Sequence, residues 1–173
     1  MADIRCFVFD VDGVLTDGRL HYGGDAEPLR SFHVHDGFAI RWLERLGVTT
    51  VILTGKTSRG VQVRAEELGI VHVIQGSRDK LADLRELLAR IDVRLDEVAM
   101  IGDDLLDLPV LRTCGCPIAT ANAVAEAKAA ARYVTSKAGG DGAVREAIEH
   151  VLRADGRWSR VLEHYGVPNG GAS

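Results

Sequence analysis

The sequence predicts an α/β domain built on a doubly wound parallel sheet. Three observations predict it. Short apolar runs of strand length, among them Cys6-Phe7-Val8-Phe9, Val48 to Leu53 and Val98-Ala99-Met100-Ile101, alternate with segments of helical period. Each run stops abruptly in polar or charged residues, as strands covered on both faces do when their ends open into a site. Those polar ends lie far apart in sequence, yet the strand ends of an open parallel sheet share one edge, so they can meet there.

Residues 4 to 9 form the first strand, and Asp10-Val11-Asp12-Gly13 follows it. Alternate residues of an extended chain point the same way, so Asp10 and Asp12 face one reacting centre if strand geometry persists. Two adjacent anions repel and need a cation between them. From Val14 to Val34 the helical period is absent. Arg19 to Tyr22 and Leu29 to Val34 read as two strands around Gly23-Gly24 and Pro28, a β-hairpin insertion over about 14–35. A lone hairpin is marginal in water, so it is expected to pack on something outside itself or on a partner subunit. His21, His33 and His35 fall there and read as surface or interface residues.

Asp36 reads as the cap of a helix that carries Ala39, Trp42, Leu43 and Leu46 on one face and closes at Gly47. The next strand ends in Thr54-Gly55-Lys56, where a hydroxyl and free backbone N–H groups beside a helix N-terminus make an anion cradle. A helix from about Thr57 to Leu68 stops at Gly69, and Val71 to Ile74 form a third strand. Ser77 is expected to cap the following helix, along which Leu81, Leu84, Leu88 and Ile91 recur. Lys80 sits in its first turn, where the helix dipole disfavours a cation, and such local violations are expected at functional sites.

Val98 to Ile101 form a fourth strand and run into Gly102-Asp103-Asp104-Leu105-Leu106-Asp107. Three carboxylates in five residues, with no base between them, are costly unless a divalent metal sits among them. Beyond lie a short strand Pro117 to Ala119, an Ala-rich helix from Asn122 to Ala131, Tyr133-Val134, and a helix from Ala143 to Leu152. Gly139-Gly140-Asp141-Gly142 fits a mobile flap as well as a linker. Residues 1–166 read as one domain, and Val167 to Ser173 as a frayed tail.

Composition narrows the classes of function. With 46% hydrophobic residues, 173 residues can bury a real core without disulfides. A formal charge of -4 shows no basic excess for nucleic acid. No apolar run nears the roughly 20 residues of a membrane span, and Met1-Ala2-Asp3 opens no export signal, which together point to the cytoplasm. Cys6, Cys114 and Cys116 have no metal or redox spacing and read as reduced packing residues.

This inventory supports phosphoryl transfer. Asp10 would attack phosphorus, and Asp12 would protonate the leaving alcohol and then take a proton from the hydrolytic water. Thr54 and Lys80 would hold the phosphoryl oxygens. Asp10, Asp103 and the backbone carbonyl of Asp12 would hold magnesium, with Asp104 and Asp107 behind them.

In order, Asp10-Val11-Asp12-Gly13-Val14-Leu15-Thr16-Asp17, Leu53-Thr54-Gly55, Lys80 and Gly102-Asp103-Asp104-Leu105-Leu106-Asp107 resemble the four motifs of the haloacid dehalogenase superfamily of phosphatases. The 41 residues between Asp12 and Thr54 and the 25 between Thr54 and Lys80 leave no room for a large cap domain, as in the capless subclass. Over nearly its whole length the chain is similar to the 3-deoxy-D-manno-octulosonate 8-phosphate phosphatase family. That similarity takes in the hairpin, Val34-His35-Asp36-Gly37-Phe38, Gly76 before Lys80, and Gly139 to Glu146. The resemblance implies a Rossmann-like core, a magnesium-dependent sugar-acid phosphatase of lipopolysaccharide biosynthesis, and a homotetramer whose hairpins pack together while a neighbour helps close each site. It also implies Asp36, Gly37, Gly55 and Lys56 beside the substrate, Arg64 near the site, and residues 139–145 folded over the pocket.

Two positions depart from the family pattern. Asp141 stands where relatives acting on the octulosonate often carry a basic residue, and Lys56 where they often carry arginine. Less positive charge near an anionic sugar acid leaves phosphatase chemistry intact and opens the substrate, with nine-carbon sugar-acid 9-phosphates as the alternative. Two other classes compete. A phosphoacceptor signalling domain would not need Asp12 two residues past the acceptor, and a silent assembly module would not need every motif residue.

Overall fold

In a computed structural model, which describes residues 3–22 and 28–167, six parallel strands form one sheet in the order β3-β2-β1-β4-β5-β6. The strands are β1 (Cys6–Phe9), β2 (Thr49–Leu53), β3 (His72–Ile74), β4 (Val98–Gly102), β5 (Cys116–Ala119) and β6 (Tyr133–Val134). β1 lies between β2 and β4, with Phe7 opposite Thr50 on one side and Ala99 on the other. The chain winds outward from β1 through β2 to β3, then returns to β4 and winds the other way. The switch point between β1 and β4 therefore opens at the two acidic strand ends.

Alternation along β1 divides the core. Phe7 and Phe9, stacked with ring centroids 4.9 Å apart, face α1 (Val34–Arg45), α2 (Arg59–Leu68), α6 (Ala143–Ala154) and α7 (Trp158–His164). Cys6 and Val8 face α3 (Lys80–Arg90), α4 (Leu108–Leu111) and α5 (Ala125–Ala130). Both faces of the central strands are covered, which is why they read as unbroken apolar runs. Burial pushes the Cys6 and Cys114 thiols up to about 12, as suits packing residues.

Several local expectations are corrected. Among its described residues the insertion shows a single antiparallel bridge, His21 to Leu29, in place of two strands, and Val34 already belongs to α1. With no second sheet to pair on, its backbone forms no longer ladder. Its expected turn at Gly23-Gly24 and the tail beyond residue 167 fall outside the described residues. Asp36 does not cap α1: the cap position is His33, and Asp36 lies within the first turn, fully buried. Asp79 caps α3 by accepting from Ala82 N at 3.0 Å. Ser77, given that role above, donates to Asp83 Oδ2 at 2.6 Å. α7 was not anticipated: it packs Trp158 on Trp42 at 5.2 Å between centroids, and Trp42 Nε1 donates to Tyr165 Oη at 3.1 Å. No inserted cap domain lies among the described residues, and none of their helices is long and apolar enough to cross a membrane.

Candidate active site

After Phe9 the chain leaves the sheet in one wide turn, Val11 to Leu15, closed by Thr16 N donating to Val11 O at 3.0 Å. Gly13 makes this possible. Its φ is +92, and a Cβ there would overlap the carboxylate of Asp103. A residue without a side chain thus lets the ends of β1 and β4 meet. Gly13 O accepts from Asn122 Nδ2 at 3.0 Å, and Asn122 Oδ1 accepts from Gly139 N at 2.7 Å. Gly140 N donates to Val14 O at 3.1 Å. The Gly139–Gly142 segment, legible only as flap or linker, is thereby fastened to the back of the first acidic turn.

Lys80, the first residue of α3, is buried between two carboxylates: Nζ lies 2.8 Å from Asp10 Oδ1 and 2.7 Å from Asp107 Oδ1. Its placement against the helix dipole is explained by these partners. Burial opposes its charge, but Asp10 and Asp107 hold its ammonium above the usual lysine range. Asp107 Oδ2 also accepts from the amides of Asp103, at 2.9 Å, and Asp104, at 3.2 Å.

Asp10, Asp103 and Asp107 present oxygens within 4.8 Å of one another. Asp107 has spent both of its oxygens on Lys80 and the two amides, so it props the group. Asp103 Oδ1 is buried and has no hydrogen-bond partner. An orphaned carboxylate oxygen is costly unless something cationic meets it, and hard oxygen donors in this number suit magnesium. Burial first, then the neighbouring carboxylates, pushes Asp103 up to about 7. Burial and Asp107 likewise push Asp10 up to about 6 against the pull of Lys80. Without a further cation these anions oppose one another.

Asp12 does not join that trio through its side chain. Strand geometry ends at Asp10, and the turn swings the Asp12 carboxylate to Arg30, whose Nε donates to Oδ1 at 2.7 Å. Lys56 Nζ lies 3.5 Å from Asp12 Oδ2. Burial opposes ionisation of Asp12, but Arg30 and then Lys56 hold it below the usual carboxylate range. Asp104, expected behind the metal ligands, is exposed and accepts from Leu105 N at 2.7 Å, capping the short turn Leu105–Asp107.

Thr54 is buried at the end of β2, where its amide donates to Ile74 O at 2.9 Å and its hydroxyl accepts from Lys56 N at 3.4 Å. Gly55 borders Ser77. Gly37 and Arg64 meet in a second group, while Asp36 faces the start of α6. Asp36 Oδ1 accepts from Arg145 N at 2.7 Å. Arg64 lies against Gly37, pairs with Glu67 at 2.8 Å, and reaches His33 O at 3.5 Å. Arg30 is the site residue that sequence reasoning missed. Nothing in its local pattern marks it, since its partner lies 18 positions earlier in the chain.

Comparison with known proteins agrees with this geometry. A family model described as haloacid dehalogenase-like hydrolase matches residues 62–148. The 3-deoxy-D-manno-octulosonate 8-phosphate phosphatase of Yersinia pestis is 42% identical over 153 residues, 88% of this chain and 82% of that protein. The crystal structure of the Moraxella catarrhalis phosphatase of that name, in complex with magnesium, phosphate and a KDO molecule, superposes with a TM-score of 0.91. It is 39% identical and 94% of each chain is covered. The cobalt-bound Haemophilus influenzae phosphatase gives a TM-score of 0.86 at 38% identity, covering 89% of this chain and 90% of that one. From the meeting of its two acidic strand ends to its likeness over nearly full length, the chain belongs to the haloacid dehalogenase-like hydrolases, in the 3-deoxy-D-manno-octulosonate 8-phosphate phosphatase family.

Proposed function

We propose that the chain is a magnesium-dependent phosphatase that converts 3-deoxy-D-manno-octulosonate 8-phosphate to the free sugar acid and phosphate through an aspartyl-phosphate on Asp10. The observation that carries the chemistry is the meeting of Asp10, Lys80 and the unpartnered Asp103 Oδ1 at one strand edge. Asp10 Oδ2, the oxygen Lys80 does not hold, attacks phosphorus. Lys80 keeps Asp10 anionic and steadies the transferring oxygens, with the Thr54 hydroxyl and the amides after it as further donors. Asp12 protonates the departing alcohol, then takes the proton of the water that cleaves the acyl-phosphate. Asp10, Asp103 and the Asp12 carbonyl would hold magnesium, which would let the carboxylates ionise together and offset phosphate charge.

The substrate assignment draws on the names of the Yersinia pestis and Moraxella catarrhalis relatives. In our reading Gly55, Lys56 and Arg64 line the sugar side, with Asp36 and Gly37 supporting it, in a single domain. We also assign the protein to the cytoplasm and to a homotetramer built through the insertion, where Tyr22 and Leu29 are 70% and 72% exposed. Leu29 also lines a groove of about 340 Å³ with Pro28, Phe32 and Val63.

The test is magnesium-dependent phosphate release from a panel of the octulosonate 8-phosphate, nine-carbon sugar-acid 9-phosphates and hexose phosphates. A preference of about a hundredfold in kcat/KM for the octulosonate is expected, roughly 2.7 kcal/mol of transition-state discrimination. Preference for a nine-carbon acid would overturn the substrate and place specificity at Asp141 and Lys56. No turnover of any member would overturn the enzyme.

A further inference from the structure

Arg30 belongs to the insertion, whose one bridge among the described residues joins His21 to Leu29. Its side chain is nevertheless only 4% exposed. It reaches back to the first acidic turn and takes both oxygens of one carboxylate: Nε to Asp12 Oδ1 at 2.7 Å, and Nη2 to Asp12 Oδ2 at 3.3 Å. Nη1 donates to Pro28 O at 3.5 Å, which ties the guanidinium to its own segment. Lys56 touches the same carboxylate from a side chain that is 57% exposed. The two cations are not equivalent. An exposed ammonium is a movable point charge, whereas a buried planar fork on both oxygens fixes a carboxylate's position and plane.

Two strand-end aspartates thus have separate keepers. Lys80 holds Asp10 from the core side, and Arg30 holds Asp12 from the insertion. Proton transfer needs its donor within hydrogen-bond reach of the leaving oxygen, and small displacements cost rate.

We propose that Arg30 is a positioning residue for proton transfer, an arginine supplied by the insertion that fixes the Asp12 carboxylate relative to the phosphoryl group on Asp10. The inference rests on the acid–base role of Asp12 proposed above. In the first step Asp12 takes the proton that the phosphate ester brings as its monoanion, the bond from phosphorus to the alcohol oxygen breaks as the bond to Asp10 Oδ2 forms, and that proton passes from Asp12 to the alcohol. In the second, water attacks phosphorus, the bond to Asp10 breaks, and the water's proton returns to Asp12. Arg30 stays protonated throughout and exchanges nothing with substrate. Its part is to hold one carboxylate where both transfers pass, which makes the aim of that carboxylate depend on the backbone of residues 28 to 33.

Leaving-group dependence separates this role from a structural one. p-Nitrophenolate departs as a stable anion without a proton, while a sugar alcohol needs one. Rapid-mixing measurements on Arg30→Gln and Arg30→Lys, with magnesium present, give the rate of the first step for each substrate. With the sugar-acid phosphate, Arg30→Gln is expected to slow that step by roughly 30- to 100-fold, within the range general acids contribute. With p-nitrophenyl phosphate the nitrophenolate burst should stay within about threefold of the parent, which also shows that the variant is folded. Arg30→Lys should fall between. In an Asp12→Asn background, Arg30→Gln should add little, because its partner's function is already gone. Equal losses on both substrates, no loss on either, or a full further loss in the Asp12→Asn background would overturn the proposal. Turnover by the parent that survives Asp10→Asn would instead overturn the aspartyl-phosphate reading beneath it.

Discussion

Asp36 on α1 caps the neighbouring helix α6: its Oδ1 accepts from the backbone N of Arg145 at 2.7 Å. α6 begins after Gly142, which has no side chain to cap the helix's first amides. A carboxylate from the neighbouring helix supplies the acceptor and meets the positive end of the dipole. Burial raises the Asp36 carboxyl above its ordinary range, against the pull of the Arg145 amide. Asp36→Ala should therefore cost about 1–2 kcal/mol, the usual worth of a cap, seen as a melting temperature several degrees lower. Asp36→Asn keeps an acceptor and should lose less than half as much. Equal losses would show that charge, and not the acceptor, matters.

The crowded carboxylates predict a pH-dependent response to metal. Asp103 titrates near 7 and Asp10 near 6 in the folded chain, against an ordinary value of 3.8. Between about pH 4 and pH 7 the folded state holds protons that the unfolded chain has released, so these two groups lower stability as pH rises through that window. Magnesium binds the deprotonated trio and offsets this. The rise in melting temperature on replacing EDTA with magnesium should be several-fold larger at pH 8 than at pH 5; an equal rise at both would refute the cluster as the metal site.

Gly13→Ala tests the close approach of the two strand ends. The substitution places a side chain at φ +92 and into the Asp103 carboxylate. Left-handed strain alone costs about 1–2 kcal/mol. Magnesium affinity by titration calorimetry should fall at least tenfold as Asp103 is displaced, and an unchanged affinity would separate Gly13 from the metal site.

Asp10→Asn should reduce turnover by roughly a thousandfold or more, as loss of a nucleophile does. It should leave the melting temperature at or above that of the parent in EDTA, because one of three opposed carboxylates is removed. Retention of most activity would end the aspartyl-phosphate mechanism.

The exposed apolar side chains of the insertion should be covered in the assembly. Replacing Tyr22 and Leu29 by serine should lower the mass measured by light scattering toward that of one chain, with the melting transition retained. An unchanged mass would remove the insertion from the interface.

By itself the sequence determined the parallel sheet, the positions of its central strands and the two acidic strand ends. Those follow from patterns within a few residues: Phe7 and Phe9 alternate with Cys6 and Val8 because both faces are buried, and Asp10 and Asp103 stand where apolar runs end. Lys80 was legible as a residue out of place, since the helix dipole is a local quantity. What only the tertiary structure decided is which charge meets which. Asp12 pairs with Arg30 because a single turn breaks strand geometry after Asp10. Asp36 caps α6, more than a hundred positions away, and Asp107 rather than Asp104 turns inward to Lys80. Such pairings join residues brought together by the winding of the sheet, and no propensity or period encodes them. Among the described residues the insertion's two expected strands reduce to one bridge, because strands persist only when neighbours share their hydrogen bonds.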